Sequence, residues 1–166
     1  MMLVRPERPE DCAAIRLVNE HAFGRLDEAD LVDRLREQGV VLASFVAEIE
    51  NQIVGHILFS RISIETANES LPAASLAPVA VIPRLQRQGI GGELIRHGLD
   101  WLRAQGEQIV LVLGHPDYYP RFGFSTAKAS LIESPFNPSS FMALELKPNA
   151  LEGIRGKVRY PDAFGL

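Results

Sequence analysis

The sequence predicts an α/β (α+β) domain, with a mixed, mostly antiparallel sheet of six to seven strands flanked by helices. Three observations lead there. Residues 75–113 read as strand, glycine-rich loop, amphipathic helix and strand, a β-α-β unit whose two strands run parallel. Residues 40–48 and 53–64 are rich in Val, Ile and Phe and flank a polar turn at Glu50-Asn51-Gln52, the pattern of an antiparallel hairpin. Two further apolar stretches, 139–146 and 156–160, follow the unit and are separated by a loop containing Pro148.

At 166 residues the expectation is one domain, 1–166, long enough to bury roughly 70% of the surface its unfolded chain exposes. Hydrophobic residues make up 46% and charged residues 23%, a globular composition without low-complexity runs. Seventeen basic against twenty-one acidic residues give a formal charge of -4, which offers no general attraction to nucleic acid or to an anionic membrane. Neither is expected as a partner. The first residues reach charge and proline before any signal-length apolar run, and no later segment approaches ~20 apolar residues, so the expected location is cytoplasmic. Cys12 is the only cysteine, read as a buried thiol in the first helix, and the histidines at positions 21, 56, 97 and 115 show no metal-ligand spacing. No metal is expected.

Taken in order, residues 3–5 form the first strand. Pro9 with Glu10 and Asp11 behind it marks a helix start, because proline suits the first turn and acids suit its dipole. Ile15, Val18 and Ala22 then share one face. A second helix over 28–38 buries Leu31 and Leu35 and stops at Gly39. In the hairpin that follows, His56 sits in mid-strand among apolar residues and reads as a histidine satisfied within the sheet. Residues 65–74 read as a polar, proline-bearing connection to the strand at 75–81. Beyond the glycine loop the helix repeats Leu94, Ile95, Leu99 and Leu102 on one face and ends at Gln105-Gly106, and 109–113 is the next strand. Arg155, Lys157 and Arg159 make the tail locally basic, which alternating strand exposure explains.

The chemistry gathers at the start of that helix. Its first turn has unpaired N–H donors and the positive end of the macrodipole, and glycines let an anion approach the backbone, so a phosphate or pyrophosphate is the natural guest. Spacing narrows the choice. No Walker A loop is present, and the dinucleotide pattern G-x-G-x-x-G needs glycine at position 94, where the chain has Leu94. What remains, Gln86-Arg87-Gln88-Gly89-Ile90-Gly91, resembles the Q/R-x-x-G-x-G/A motif with which GCN5-related N-acetyltransferases (GNAT) hold the pyrophosphate of acetyl-coenzyme A. Downstream, Gly114-His115-Pro116-Asp117-Tyr118-Tyr119-Pro120-Arg121-Phe122-Gly123-Phe124 resembles the second coenzyme A segment of that superfamily, with Tyr119 four residues before the glycine of a Gly-Phe pair. The combination is similar to a bacterial acetyltransferase subgroup that reads Gly-x-Pro-x-Tyr-Tyr-x-Arg-Phe-Gly-Phe here and Val-Gly-His-Ile-Leu-Phe-Ser near the middle, as residues 54–60 do. The likeness covers nearly the whole chain. His115 departs from it, standing where many relatives carry an acid.

This resemblance implies a sheet splayed between its two central parallel strands and acetyl-coenzyme A as cosubstrate. Backbone at Val79, Ala80 and Val81 would pair with the pantetheine arm. Gln86, Arg87, Gln88, Gly89, Ile90, Gly91 and Gly92 would hold the pyrophosphate, with Arg84 and Arg87 adding charge. The acetyl group would pass directly to the amine of a small molecule or peptide, with Tyr119 protonating the departing thiolate. The base is unassigned among Glu48, His56, Glu69 and His115, while His21, Phe23 and Glu28 border the acceptor side. A non-catalytic acyl-coenzyme A binding or sensing domain of the same fold is the alternative, and a nucleotide-binding oxidoreductase a third reading. The apolar late strands, 141–146 and 158–160, offer an edge for a homodimer.

Overall fold

The computed structural model describes residues 1–166. Eight strands form one sheet: β1 (Met2–Pro6), β2 (Val41–Ile49), β3 (Gln52–Glu65), β4 (Ser70–Val81), β5 (Ile109–Leu113), β6 (Ile132–Glu133), β7 (Phe141–Glu145) and β8 (Gly156–Arg159). The path runs β1-β2-β3-β4-β5-β7, and β8 joins both β3 and β6. Three helices, α1 (Cys12–Phe23), α2 (Asp27–Glu37) and α3 (Ile90–Ala104), pack on it. Only β4–β5 and β6–β8 are parallel. The sheet is mixed and mostly antiparallel as expected, and its extra strand is β6, whose two residues are too short to show a period in the sequence.

The local rules explain most boundaries. Glu50 and Asn51 take φ of 50° and 62°, the left-handed pair that a two-residue hairpin turn needs, and they join β2 to β3. Gly39 at φ 69° stops the chain leaving α2. One expectation fails: residues 70–74 are strand and not a connection, so β3 and β4 form a long hairpin closed by Thr66–Glu69. Pro72 is tolerated because β4 lies on an edge there, β5 pairing only from Ala74 onward, so a missing N–H leaves no ladder partner orphaned on that side.

Helix α3 buries the face its periodicity indicates, with Leu94, Ile95, Leu99 and Leu102 packed on Phe45, Ile57 and Phe59. At Gly98 the helix presses so closely on the sheet that an added Cβ would lie 2.3 Å from the Phe59 ring. On the opposite face α1 and α2 bury Ile15, Val32 and Leu35 against Val46 and Leu58. Helix α2 is rotated from the expected facing: Val32 and Ala29 are buried with Leu35, while Leu31 is half-exposed. Cys12 is half-buried at the start of α1 and not a core thiol. No helix is long and apolar enough to cross a membrane.

His56 is fully buried, and its neighbours define its protonation. Ser44 Oγ donates to Glu7 Oε1 at 2.6 Å, so the 2.9 Å contact between Ser44 Oγ and His56 Nε2 requires the imidazole to donate there. Nδ1 then accepts from Asn19 Nδ2 at 3.1 Å, and the other Asn19 amide proton goes to Ile15 O at 3.0 Å. Arg36 closes the far end, bonding both Glu7 oxygens at 2.6 and 3.2 Å. Every proton in the chain of bonds is accounted for only if the imidazole is neutral, and burial agrees, holding the His56 pKa down at about 3. Although Glu7 approaches Nε2 to 4.0 Å, desolvation of a wholly buried ring outweighs that attraction.

A group whose folded pKa is depressed in this way binds more protons when unfolded, so its stabilising contribution is present above about pH 6.5 and is lost as pH falls toward 3. Urea denaturation between pH 7 and pH 5 should show the parent losing stability up to ~1.4 kcal/mol per pH unit more steeply than His56→Gln. Equal slopes would mean that the imidazole is already charged in the fold.

Candidate active site

The site begins where two strands stop pairing. β4 and β5 are partners only at Ala74–Val110 and Ser75–Leu111, although β4 continues to Val81. Directly after Leu76 the register of β4 on β3 slips: Phe59 pairs Leu76 and Ile57 pairs Val79, so Ala77 and Pro78 form a bulge opposite Leu58. Pro78 has no N–H to offer β5, and the bend carries the rest of β4 away.

Past the bulge, strand geometry assigns each polar group. Ile82 N–H donates to Val54 O at 3.0 Å, which with the Gly55–Val81 register makes that pair, and Ile57–Val79, the non-hydrogen-bonded kind. The N–H and carbonyl of Val79 and the N–H of Val81 therefore point to the open edge. The Val81 carbonyl is covered by Gln86, whose Nε2 donates to it at 2.9 Å. Ala80 differs. It is 2% exposed and spends its backbone on His56, so it does not face the gap, because alternate residues of a strand turn their polar groups to opposite neighbours.

Next to this edge, Arg87 (φ 63°) and Gly89 (φ 88°) both adopt left-handed backbone and turn the chain into α3. Gly89 is the N-cap and no side chain caps the helix, so its first N–H groups remain available. They open on a hollow of about 580 Å³ lined by Val79, Val81, Leu85 to Arg87, Gly89 to Gly92, Arg96, Tyr118, Arg121 and Phe122. A Cβ on Gly91 would meet the Tyr118 hydroxyl at 3.5 Å and Val81 at 3.9 Å. Arg121 stacks on the Tyr118 ring at 4.6 Å and Arg96 lies over Phe122 at 5.1 Å, so three guanidinium groups, with Arg87, face one small space. Of the residues expected at the pyrophosphate, Gln88 and Arg84 do not line it.

On the other side of Val79 lies a second hollow of about 480 Å³, walled by β4, the end of β5 and Tyr119. Val79 is common to both hollows. The tyrosines separate as their positions on the 3₁₀ turn Tyr119–Phe122 dictate: Tyr118 faces the arginine-lined hollow, and Tyr119 faces the other, the two rings crossing at 82° with centroids 5.2 Å apart. Tyr119 is 8% exposed, edge-on to Phe124, and its ring occupies the space over Gly114, where a Cβ would sit 2.2 Å from Cε2. Burial pushes its pKa up to about 12, so the phenol carries its proton at any ordinary pH.

Other expected residues scatter. Phe23 and Glu28 line the second hollow, whereas His21 and Arg84 border a separate depression beside Ile82 and Pro83. Glu48 is engaged by Arg5, Glu69 sits in the β3–β4 turn, His115 is exposed, and His56 is sealed in the core. Arg96 had no signal in the sequence, being one of several charges on an exposed helix face. Tyr118 and Arg121 were within the motif, but their facing depended on the turn. The wall formed by Phe136, Tyr160 and Phe164 comes from segments far apart in the chain. No group of three or more His, Cys, Asp or Glu side chains comes together to hold a metal.

A parallel pair that parts beside an uncapped, glycine-lined helix start, with a basic hollow on one side and an apolar one on the other, defines the acetyltransferase class of α/β folds. The chain belongs to the GNAT N-acetyltransferase family: the family model described as an acetyltransferase (GNAT) domain matches residues 4–127. The uncharacterized N-acetyltransferase YhbS of Escherichia coli K12 is 35% identical over 166 residues, covering 98% of both chains. YjhQ of the same organism, also an uncharacterized N-acetyltransferase, is 47% identical over 116 residues, which cover 69% of this chain and 64% of that relative. Among solved structures, YhbS in complex with CoA superposes with a TM-score of 0.92 at 33% identity, over 99% of this chain and 92% of that one. A GNAT family acetyltransferase from Brucella melitensis in complex with acetyl-CoA gives 0.83 at 37% identity, over 99% and 98%.

The seat of Tyr119 is directly testable. Burial raises all three tyrosine pKa values, so ultraviolet titration of the parent should show the phenols ionising above the ordinary value of about 10, with Tyr119 well above it. In Gly114→Ala the ring is displaced, and one phenol should return toward that value. An unchanged titration would show that the seat tolerates a methyl group.

Proposed function

We propose that the protein transfers an acetyl group from acetyl-coenzyme A directly to an acceptor amine, with the thioester held at Val79. The carrying observation is that Val79 borders both hollows, so a cosubstrate reaching from one toward the other meets its acceptor there. The residues fit this cosubstrate. No side chain covers the Gly91 backbone, three arginines line the same hollow, and the polar groups of Val79 and Val81 on the open edge match the amides of a pantetheine arm laid alongside as an added strand. The CoA and acetyl-CoA complexes of the structural relatives support the assignment.

The chain's own groups then supply positioning and a proton. Holding amine and thioester together provides much of the rate gain, and the Val79 N–H is placed to stabilise the developing oxyanion. Tyr119 is the donor to the departing thiolate. Its raised pKa is compatible with that role, because the desolvation that holds it near 12 raises the thiol in the same direction. Cys12, in α1 outside both hollows, leaves no covalent route through a cysteine.

Tyr119→Phe removes one oxygen and keeps the packed ring. It should lower kcat roughly 100-fold with near-normal acetyl-coenzyme A affinity, while Tyr118→Phe leaves kcat within a few-fold. Equal losses in both variants would sink the assignment. Independently, Gly91→Val should weaken coenzyme A in calorimetry by about tenfold or more without unfolding the chain, since it places a branched side chain between Tyr118 and Val81. Parent-like affinity would remove the loop from the site.

A further inference from the structure

We infer that the acceptor is a small amine carried on an apolar, aromatic body with no second formal charge. This rests on the transfer reading above and concerns the second hollow, whose chemistry is unlike that of its neighbour across Val79. Phe136, Tyr160 and Phe164 form a continuous aromatic wall, with ring centroids 5.5 Å apart at 72° and 5.0 Å apart at 57°. Facing them, Phe23 and Leu113 are 38% and 46% exposed, apolar side chains left uncovered inside the depression. A ring inserted there meets aromatic edges on one side and aliphatic surface on the other, covering area that otherwise contacts water.

The charges are as telling. Arg25 and Glu28 are the hollow's charged side chains, and each is spent on the other: Arg25 Nε and Nη2 donate to the two Glu28 oxygens at 2.9 and 2.5 Å. This fork-to-fork pair sets the two charges against each other, so neither stands as an unpaired charge for a ligand. The second ammonium of a polyamine therefore finds no unpaired carboxylate, and the carboxylate of an amino acid no unpaired guanidinium. Either would be stripped of water without compensation. The remaining polar side chains, Ser75, Tyr119 and Tyr160, are neutral hydroxyls.

Phe136 also sets the depth. It also borders a further cavity of about 740 Å³ whose lining includes the charged residues Glu65, Glu133, Arg155 and Lys157. Phe136 thus stands between the aromatic hollow and one lined by several charged side chains, and the aromatic hollow, at about 480 Å³, is of small-molecule size.

The experiment measures coenzyme A thiol release from acetyl-coenzyme A with 2-phenylethylamine, n-hexylamine, spermidine, glycinamide, glycine and a short peptide N-terminus. 2-Phenylethylamine should exceed each of the others in kcat/KM by about tenfold or more. Leu113→Gln, at a half-exposed position, and Phe136→Ala should each raise its KM severalfold while coenzyme A affinity stays within twofold by calorimetry. If spermidine, glycine or the peptide turns over best, or neither variant moves KM, the aromatic acceptor is wrong and acetyl transfer stands. If coenzyme A binds but no amine releases thiol, the transfer reading falls and takes the acceptor with it.

Discussion

Two register pairs hold β4 to β5, and the site exists because there are no more. A parallel pair that continued would satisfy the backbone of Val79 and Val81 internally. The bulge at Ala77 and Pro78 ends that pairing by two means at once, an extra residue against β3 and a missing N–H toward β5. The fold retains the open edge because β5 takes all five of its residues' partners from β7 on its other side, so separating it from β4 does not leave it unanchored.

The half of the site that faces the pyrophosphate loop was legible because it is local. Strand end, loop and helix start follow each other within residues 79–92, and the glycine spacing, the absent third glycine at Leu94 and the α3 periodicity could each be read without knowing the fold. Of the second half only Phe23 and Glu28, expected to border the acceptor side, were legible. Its walls come from α1, α2, the ends of β4 and β5, the loop at Phe136 and the segment after β8, and no spacing in the sequence links Phe23 to Phe164. Between these extremes, Tyr119 was found by its distance from Gly123, but its separation from Tyr118 depended on a turn tighter than an α-helix. Ala80 was misplaced because the motif marks a stretch, whereas a strand's polar groups alternate. Residues 70–74 were misread because proline is a strand breaker only where both edges are paired.

His56 and Tyr119 show how one physical cause serves different ends. Both are buried and both have pKa values moved by desolvation toward the neutral form. His56 is enclosed by Asn19 and Ser44, so both of its nitrogens have partners and it acts as a fastener between α1, β2 and β3. Tyr119 makes no side-chain hydrogen bond within the chain while lining a hollow, so its hydroxyl is still available to a guest. Partner satisfaction, more than the size of the shift, distinguishes a structural polar group from one with work to do.

The unequal sequence span of the two hollows has a consequence for the order in which they take shape. Everything around the pyrophosphate loop, from Val79 to Phe122, closes through contacts of short and middle range, whereas the aromatic wall waits for Phe164 to reach helices near the chain's start. Closing long loops costs more conformational entropy than closing short ones, and segments joined late are the first to open again. Native-state hydrogen exchange across the domain would accordingly be graded, with protection deepest along β3 and α3 and shallowest in the stretch after β8. Acceptor recognition is then borne by the least firmly held part of the fold.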